Sequence, residues 1–183
     1  VSHGKSTLIY AITGVKTQKH SAELKRNITI KINSENAKIF WSPTTGKYYA
    51  TSSRKSSLKD KETGEELVLI KHYTHVDVPG HEAYISTMIN GSNLMDNAFL
   101  LIAGNEPDVP QKQTIDHLDV LTRLNINNIA IIQNKLDLSS KEEAKNNYNK
   151  IKNFTMDTIA ENSTIIPISA QRKYNIDSVL NYI

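Results

Sequence analysis

Cysteine is absent from the 183 residues, which excludes disulfides and every zinc site built on thiolates. Arginine is scarce: 18 of the 22 basic residues are lysines scattered along the chain, so a formal net charge of +3 announces no arginine-rich surface for reading RNA. No apolar run approaches the ~18 residues that read as a membrane-spanning helix, and no secretory leader pattern occurs. These absences together point to a cytoplasmic protein with no membrane partner. With 38% hydrophobic and 22% charged residues, the chain has the composition of one ordinary globular domain. Its start at Val1 rather than Met reads as a fragment of something longer.

What is present begins at once. Gly4-Lys5-Ser6-Thr7 runs into an apolar helical stretch carrying Leu8, Ile9 and Ile12. Gly-Lys-Ser/Thr ahead of a helix is the second half of a phosphate loop, Gly-x-x-x-x-Gly-Lys-Ser/Thr. In that loop backbone N–H groups wrap a β-phosphate, the lysine reaches the β- and γ-phosphates, and the hydroxyl binds Mg²⁺. Ser2, His3, Gly4, Lys5, Ser6 and Thr7 are therefore candidate nucleotide-binding residues, with Ser6 also a metal ligand. The first glycine of the pattern falls ahead of Val1, so the pattern expects the first strand of the sheet to be missing from this chain. A Gly-capped helix start is the plain alternative for these residues taken alone.

The helix is expected over Lys5 to Thr13, with Gly14 as its C-terminal cap. Residues 15–25 are polar and aperiodic, Asn27 to Ile32 alternates, and Ala37 to Trp41 is apolar again, as in a flexible segment entering a strand hairpin. A mobile loop beside a phosphate site is a switch candidate. Ser42 to Glu66 holds nine Ser or Thr, five basic and four acidic residues, which reads as an exposed insertion at 42–66, with residues 44–64 expected to be mobile, within a domain spanning 1–183. Leu67 to Val78 is β-prone and ends in Asp77-Val78-Pro79-Gly80-His81, and Glu82 to Leu94 has helical spacing. From Asn97 the chain alternates: strand to Ala103, helix Lys112 to Leu124, strand Asn128 to Gln133, helix Lys141 to Ala160, strand Thr164 to Ile168, helix Ile176 to Ile183. Continuously apolar strands such as Ile129-Ala130-Ile131-Ile132 predict an α/β fold, a mostly parallel central sheet with helices on both faces and ligands at the strands' carboxyl ends.

Three further motifs fall at those ends. Asn134-Lys135-Leu136-Asp137 offers a carboxylate that can accept from N1–H and N2–H of guanine, where adenine presents a lone pair instead. A site built for a donor rejects the analogue lacking it by roughly 10⁴ to 10⁵, which makes this a reader of GTP or GDP. Its plain alternative is a polar turn with Asp137 near an N-cap. Ser169-Ala170-Gln171 can present backbone N–H groups to the guanine O6, or can be a simple loop. Asp77 can hold a Mg²⁺-bound water and Gly80 can give its N–H to a γ-phosphate, although Pro79-Gly80 also suits a plain β-turn. Order decides between these readings, because Gly-Lys-Ser, Thr29, Asp-x-x-Gly, Asn-Lys-x-Asp and Ser-Ala follow one another beside a single sheet. His72 and His75 tempt a metal reading, but strand residues three apart point to opposite faces.

Asp77-Val78-Pro79-Gly80-His81, Ile28-Thr29-Ile30 and the other motifs resemble the translational GTPases. Val1 to Thr7, Arg26 to Lys31, Leu100 to Glu106, Gln133-Asn134-Lys135 and Ile165 to Gln171 are most similar to the branch that serves initiation. The resemblance covers nearly the whole chain except the insertion. It implies that Thr29 binds Mg²⁺ and senses the γ-phosphate, and that His81 orients the attacking water, with Val1 and Ile28 as an apolar gate. The alternative for His81 is a surface histidine at a helix start. Arg26 is implied as an anchor of the switch or as a transition-state cation. The resemblance further implies delivery of initiator methionyl-tRNA to the small ribosomal subunit, alpha and beta companion subunits, and GTPase-activating and nucleotide-exchange factors. An elongation-type or selenocysteine-specific GTPase shares the same motifs, and a GTP-dependent binding module with negligible hydrolysis would carry them too. Many members hold a four-cysteine zinc knuckle where this chain has its insertion, and with neither Cys nor His there no zinc is expected.

Overall fold

The computed structural model describes residues 3–17, 33–79, 86 and 95–183. In chain order its elements are α1 (Lys5–Thr13), β1 (Asn33–Trp41), β2 (Tyr48–Ser52), β3 (Val68–Asp77), β4 (Ala98–Ala103), α2 (Lys112–Arg123), β5 (Ile129–Asn134), α3 (Lys141–Thr155), β6 (Ile165–Pro167) and α4 (Ile176–Tyr182). The strand expected at 27–32 and the helix at 82–94 lie outside the described residues. So do Val1, Ser2, Arg26, Ile28, Thr29, Gly80 and His81.

Strands β4, β5 and β6 are parallel, with β5 in the centre. Parallel neighbours need long crossovers, which α2 and α3 provide. Because side chains alternate along a strand, Leu100, Ile102, Ile129 and Ile131 pack with Leu118, Leu121 and Ile151 of α2 and α3. Leu101, Ile132 and Ile166 pack on the other side with Leu8, Ile12, Val179 and Leu180 of α1 and α4. Each Leu or Ile buried this way stabilises the fold by about 1.5–3 kcal/mol, so burial on both faces fixes the carboxyl ends of the strands firmly.

The second sheet is antiparallel, ordered β2-β1-β3, with Ile39 opposite Ala50 on one side and Lys71 on the other. Ile39 and Tyr73 belong to the same apolar cluster as α1 and α4, so one helical layer spans both sheets. Among the described residues β3 and β4 are not paired, and a cavity of about 760 Å³ lies between them, lined by Tyr73, His75, Phe99 and Leu101 among others.

Several boundaries differ by one to four residues, such as β1, which begins at Asn33 rather than Ala37, and two larger differences concern α3 and the insertion. Helix α3 stops at Thr155 rather than running to Ala160, because the hydroxyl and N–H of Thr158 both donate to the Thr155 carbonyl (2.7 and 3.1 Å) while Asp157 turns left-handed at φ 59°. The insertion carries regular structure that its composition did not suggest: it contains β2, and Ser42 and Asp60 within it are buried.

Candidate functional site

Helix α1 starts at Gly4 in the left-handed region, φ 91° and ψ 30°, and ends at Gly14, whose N–H donates to the Tyr10 carbonyl (2.8 Å). The first turn of any helix directs backbone N–H groups and the positive end of its dipole outward, and here that turn is Lys5-Ser6-Thr7. Lys5 is pulled below the usual lysine range by burial, an effect that the nearby Asp77 carboxylate opposes. Asp77 closes β3 and is itself buried, and its Oδ2 accepts from the Ser6 hydroxyl (2.6 Å) and the Thr17 hydroxyl (2.6 Å). The structure thus brings Lys5, Ser6 and Asp77 together from two elements far apart in sequence. Thr17 was not found by sequence reasoning, since a lone threonine in a polar stretch carries no signal.

The phosphate loop is fastened to the two strand ends beside it. His3 is 6% exposed, its Nδ1 accepts from the Ala103 N–H at the end of β4 (2.9 Å), and its carbonyl accepts from Asn134 Nδ2 (2.9 Å). Asn134, only 2% exposed, also accepts the Ala170 N–H on Oδ1 (2.9 Å). A Cβ on Gly4 would lie 2.4 Å from Asn134 Nδ2, so close approach and positive φ both require glycine there. The sequence suggested Asn134 as a base contact. The structure places it first as the clasp joining three loops.

Lys135 sits left-handed at φ 64° and aims the following 3-10 turn outward, leaving Asp137 exposed. Its Oδ1 accepts from the Ser169 hydroxyl (2.6 Å), and Ser169 Oγ in turn accepts the Arg172 N–H (3.1 Å), so the carboxylate is oriented. The N–H groups of Ser169 and Ala170 are committed to the Tyr174 carbonyl and to Asn134, so the segment offers a base fewer direct donors than its sequence suggests. Gln171 is exposed, and Thr7 lies half-buried in the first turn of α1. Behind the site, Gln133 Nε2 donates to Asn147 Oδ1 (2.9 Å), and Asn147 Nδ2 donates to the carbonyls of Ala103 and Glu106 (both 3.1 Å). This buried network ties α3 to the loop after β4 and was invisible in the sequence.

His75 is paired with Tyr73. Its Nε2 meets the Tyr73 hydroxyl at 2.8 Å, a same-face pair two residues apart, while His72 is exposed.

Burial, and then the charge of Lys5, lower His3 to about 4, against 6.5 for a free imidazole. A group whose folded pKa is depressed binds its proton more readily when unfolded, so His3 favours the fold above about pH 6.5 and this contribution is lost as pH falls toward 4. The full loss is about 3 kcal/mol, at 1.36 kcal/mol per unit. We expect His3→Gln to flatten the decline in melting temperature between pH 7 and pH 4; an equally steep decline in the variant would place the acid sensitivity elsewhere.

A glycine-started helix whose first turn meets a buried carboxylate at a strand end, beside a parallel sheet packed by helices on both faces, has the architecture of a P-loop nucleotide-binding domain. Residues 1–183 match the family described as Elongation factor Tu GTP binding domain, and the chain belongs to that family. It is 46% identical to eukaryotic translation initiation factor 2 subunit gamma of Schizosaccharomyces pombe, over 100% of this chain and 42% of that protein. It is 44% identical to eukaryotic translation initiation factor 2 subunit 3 of Drosophila melanogaster, over 100% of this chain and 40% of that protein. The chain therefore spans about two fifths of the length of these relatives. Among solved structures, a bacterial selenocysteine-specific elongation factor superposes with TM-score 0.72 at 26% identity, over 100% of this chain and 26% of that one. Translation elongation factor SelB from Methanococcus maripaludis, in complex with a GTP analogue, superposes with TM-score 0.67 at 26% identity, over 99% and 30%. Among the described residues no helix is long and apolar enough to cross a membrane.

Proposed function

We propose that this chain is the GTP-binding and GTP-hydrolysing domain of a cytoplasmic translation initiation factor that delivers initiator methionyl-tRNA to the small ribosomal subunit. The observation that carries nucleotide binding is the Asn134 clasp, which holds the phosphate loop at His3 and Gly4 against the base-reading loops at one edge of the sheet. Phosphates would lie over Gly4, Lys5, Ser6 and Thr7, with Ser2, His3 and Gly80 beside them, and guanine against Asn134, Lys135 and Asp137, backed by Ser169, Ala170 and Gln171. The Ser6 hydroxyl and Asp77 carboxylate, 2.6 Å apart at a helix N-terminus, are hard oxygen donors that fit Mg²⁺, with Thr29 as the further ligand. When bound, Mg²⁺ neutralises charge on the β- and γ-phosphate oxygens. The initiation reading rests on relatives whose names are those of initiation factor 2 subunits. Companion alpha and beta subunits, an activating protein and an exchange factor belong to the same proposal.

Hydrolysis is tested at His81. In the full-length protein, His81→Ala should leave GTP affinity nearly unchanged, because the phosphate and base contacts lie elsewhere. It should lower activator-stimulated turnover on the order of 10²-fold or more, since misplacing the attacking water by about 1 Å costs that much. Unimpaired single-turnover hydrolysis with the activator would remove His81 from the mechanism. Negligible hydrolysis in the unmodified protein with its activator would instead leave a GTP-dependent binding module.

A further inference from the structure

The insertion contains the same turn twice. In residues 42–46, Gly46 N–H donates to the Ser42 carbonyl (2.8 Å), Thr45 N–H to Ser42 Oγ (3.1 Å), Lys47 N–H to Thr45 Oγ1 (3.4 Å), and Ser42 N–H to the Lys47 carbonyl (3.0 Å). In residues 60–64 each bond recurs. Gly64 N–H donates to the Asp60 carbonyl (2.9 Å), Thr63 N–H to Asp60 Oδ1 (3.0 Å), Glu65 N–H to Thr63 Oγ1 (3.3 Å), and Asp60 N–H to the Glu65 carbonyl (2.8 Å). Gly46 and Gly64 are both left-handed, at φ 70° and 71°. Each turn is therefore x-x-x-x-Gly, with side-chain oxygens at its first and fourth positions gathering backbone N–H groups.

Paired turns of this kind, with Cys at those two positions, are how zinc ribbons present four thiolates to one ion. Here the four positions are Ser42, Thr45, Asp60 and Thr63: three neutral hydroxyls and one carboxylate, a donor set that does not fit structural zinc. A side chain spans the two turns instead. The Tyr49 hydroxyl, on the strand β2 that leaves the first turn, donates to Asp60 Oδ2 of the second (2.8 Å). Ser42 Oγ adds a second tie to Glu65 Oε2 (3.1 Å). Ser42 is 0% and Asp60 3% exposed, so each bond has one buried partner.

We propose that residues 42–66 form a metal-independent knuckle pair in which the Tyr49 hydroxyl, on β2, is the cross-link between two matched turns. The segment is a folded appendage whose integrity does not depend on metal supply, rather than a loose polar loop.

The test uses the full-length protein and hydrogen exchange of peptides covering 42–66, with GDP affinity as the check that the nucleotide domain is intact. Protection in the unmodified protein should be the same with and without EDTA. Tyr49→Phe should speed exchange in both turns about five-fold, the equivalent of one net hydrogen bond, with GDP affinity unchanged. The combined Ser42→Cys, Thr45→Cys, Asp60→Cys and Thr63→Cys variant should take up one Co²⁺ with the absorption of a tetrahedral thiolate site, and in the Tyr49→Phe background Co²⁺ should restore protection. Loss of protection in EDTA, or Tyr49→Phe exchanging like the unmodified protein, would overturn the proposal. A four-cysteine variant that keeps GDP affinity but binds no Co²⁺ tetrahedrally would equally refute the matched geometry.

Discussion

Asn134→Ala should weaken nucleotide binding from inside the protein, by releasing the two loops that its side chain ties together. Asn134 Nδ2 satisfies the His3 carbonyl and Oδ1 satisfies the Ala170 N–H, both at 2.9 Å in a place only 2% exposed. Truncation leaves a buried acceptor and a buried donor unpaired, at about 1–3 kcal/mol each. It also opens space beside Gly4, whose missing Cβ is what lets the amide approach. The phosphate and base loops would then be held independently, and a ligand would have to order them on binding. GDP affinity in the full-length protein should fall by on the order of 10²-fold, about 2.7 kcal/mol, and the Ala170 amide should exchange faster. Asn134→Asp sharpens the test: it keeps the acceptor for Ala170 but sets a carboxylate oxygen against the His3 carbonyl, so it should be no better than alanine. An Asn134→Ala protein with unaltered GDP affinity and unaltered Ala170 exchange would show that the two loops do not depend on this clasp.

Asp137→Asn should move base preference from guanine toward xanthine. The structure gives this substitution a particular advantage. Ser169 Oγ donates to Asp137 Oδ1 at 2.6 Å, and asparagine retains an oxygen there, so the side chain keeps its orientation. Only the outward atom changes, from an acceptor for the guanine amino group to a donor for the xanthine C2 carbonyl. Because a polar group left unpaired against the bound base discriminates by roughly 10⁴, GDP should weaken by about that factor while XDP gains. Asp137→Ala is the control that loses guanine without gaining xanthine. Unchanged GDP affinity in Asp137→Asn, read by competition on the full-length protein, would mean that Asp137 does not touch the base.

Local pattern made much of this molecule legible. Leu8, Ile9 and Ile12 at helical spacing before Gly14 define α1 to the residue, because apolar periodicity and a left-handed cap are properties of a short window. Apolar runs identify β4 and most of β5 for the same reason, since a strand covered on both faces takes a polar residue only where it finds partners, as Gln133 and Asn134 do. Asp137, Lys5 and Asp77 could be singled out as candidates because each belongs to a short contiguous motif, and the structure sets Lys5 and Asp77 near each other.

What the tertiary structure decided is how those motifs meet. The His3 carbonyl and the Asn134 amide are 131 residues apart, Thr17 and Asp77 are 60 apart, and Asn147 reaches back 44 residues to Ala103. Such bonds depend on which strand ends the topology sets side by side, a consequence of parallel order and two-sided burial that no sequence window contains. The insertion shows the same division. Its composition speaks of exposure because Ser, Thr and charged residues bury poorly on average. Yet Ser42 and Asp60 are buried, since each folds onto its own backbone N–H groups and each turn then meets the other. Composition reports the mean cost of burying a polar group, and only the folded chain shows which polar groups find the partners that remove it.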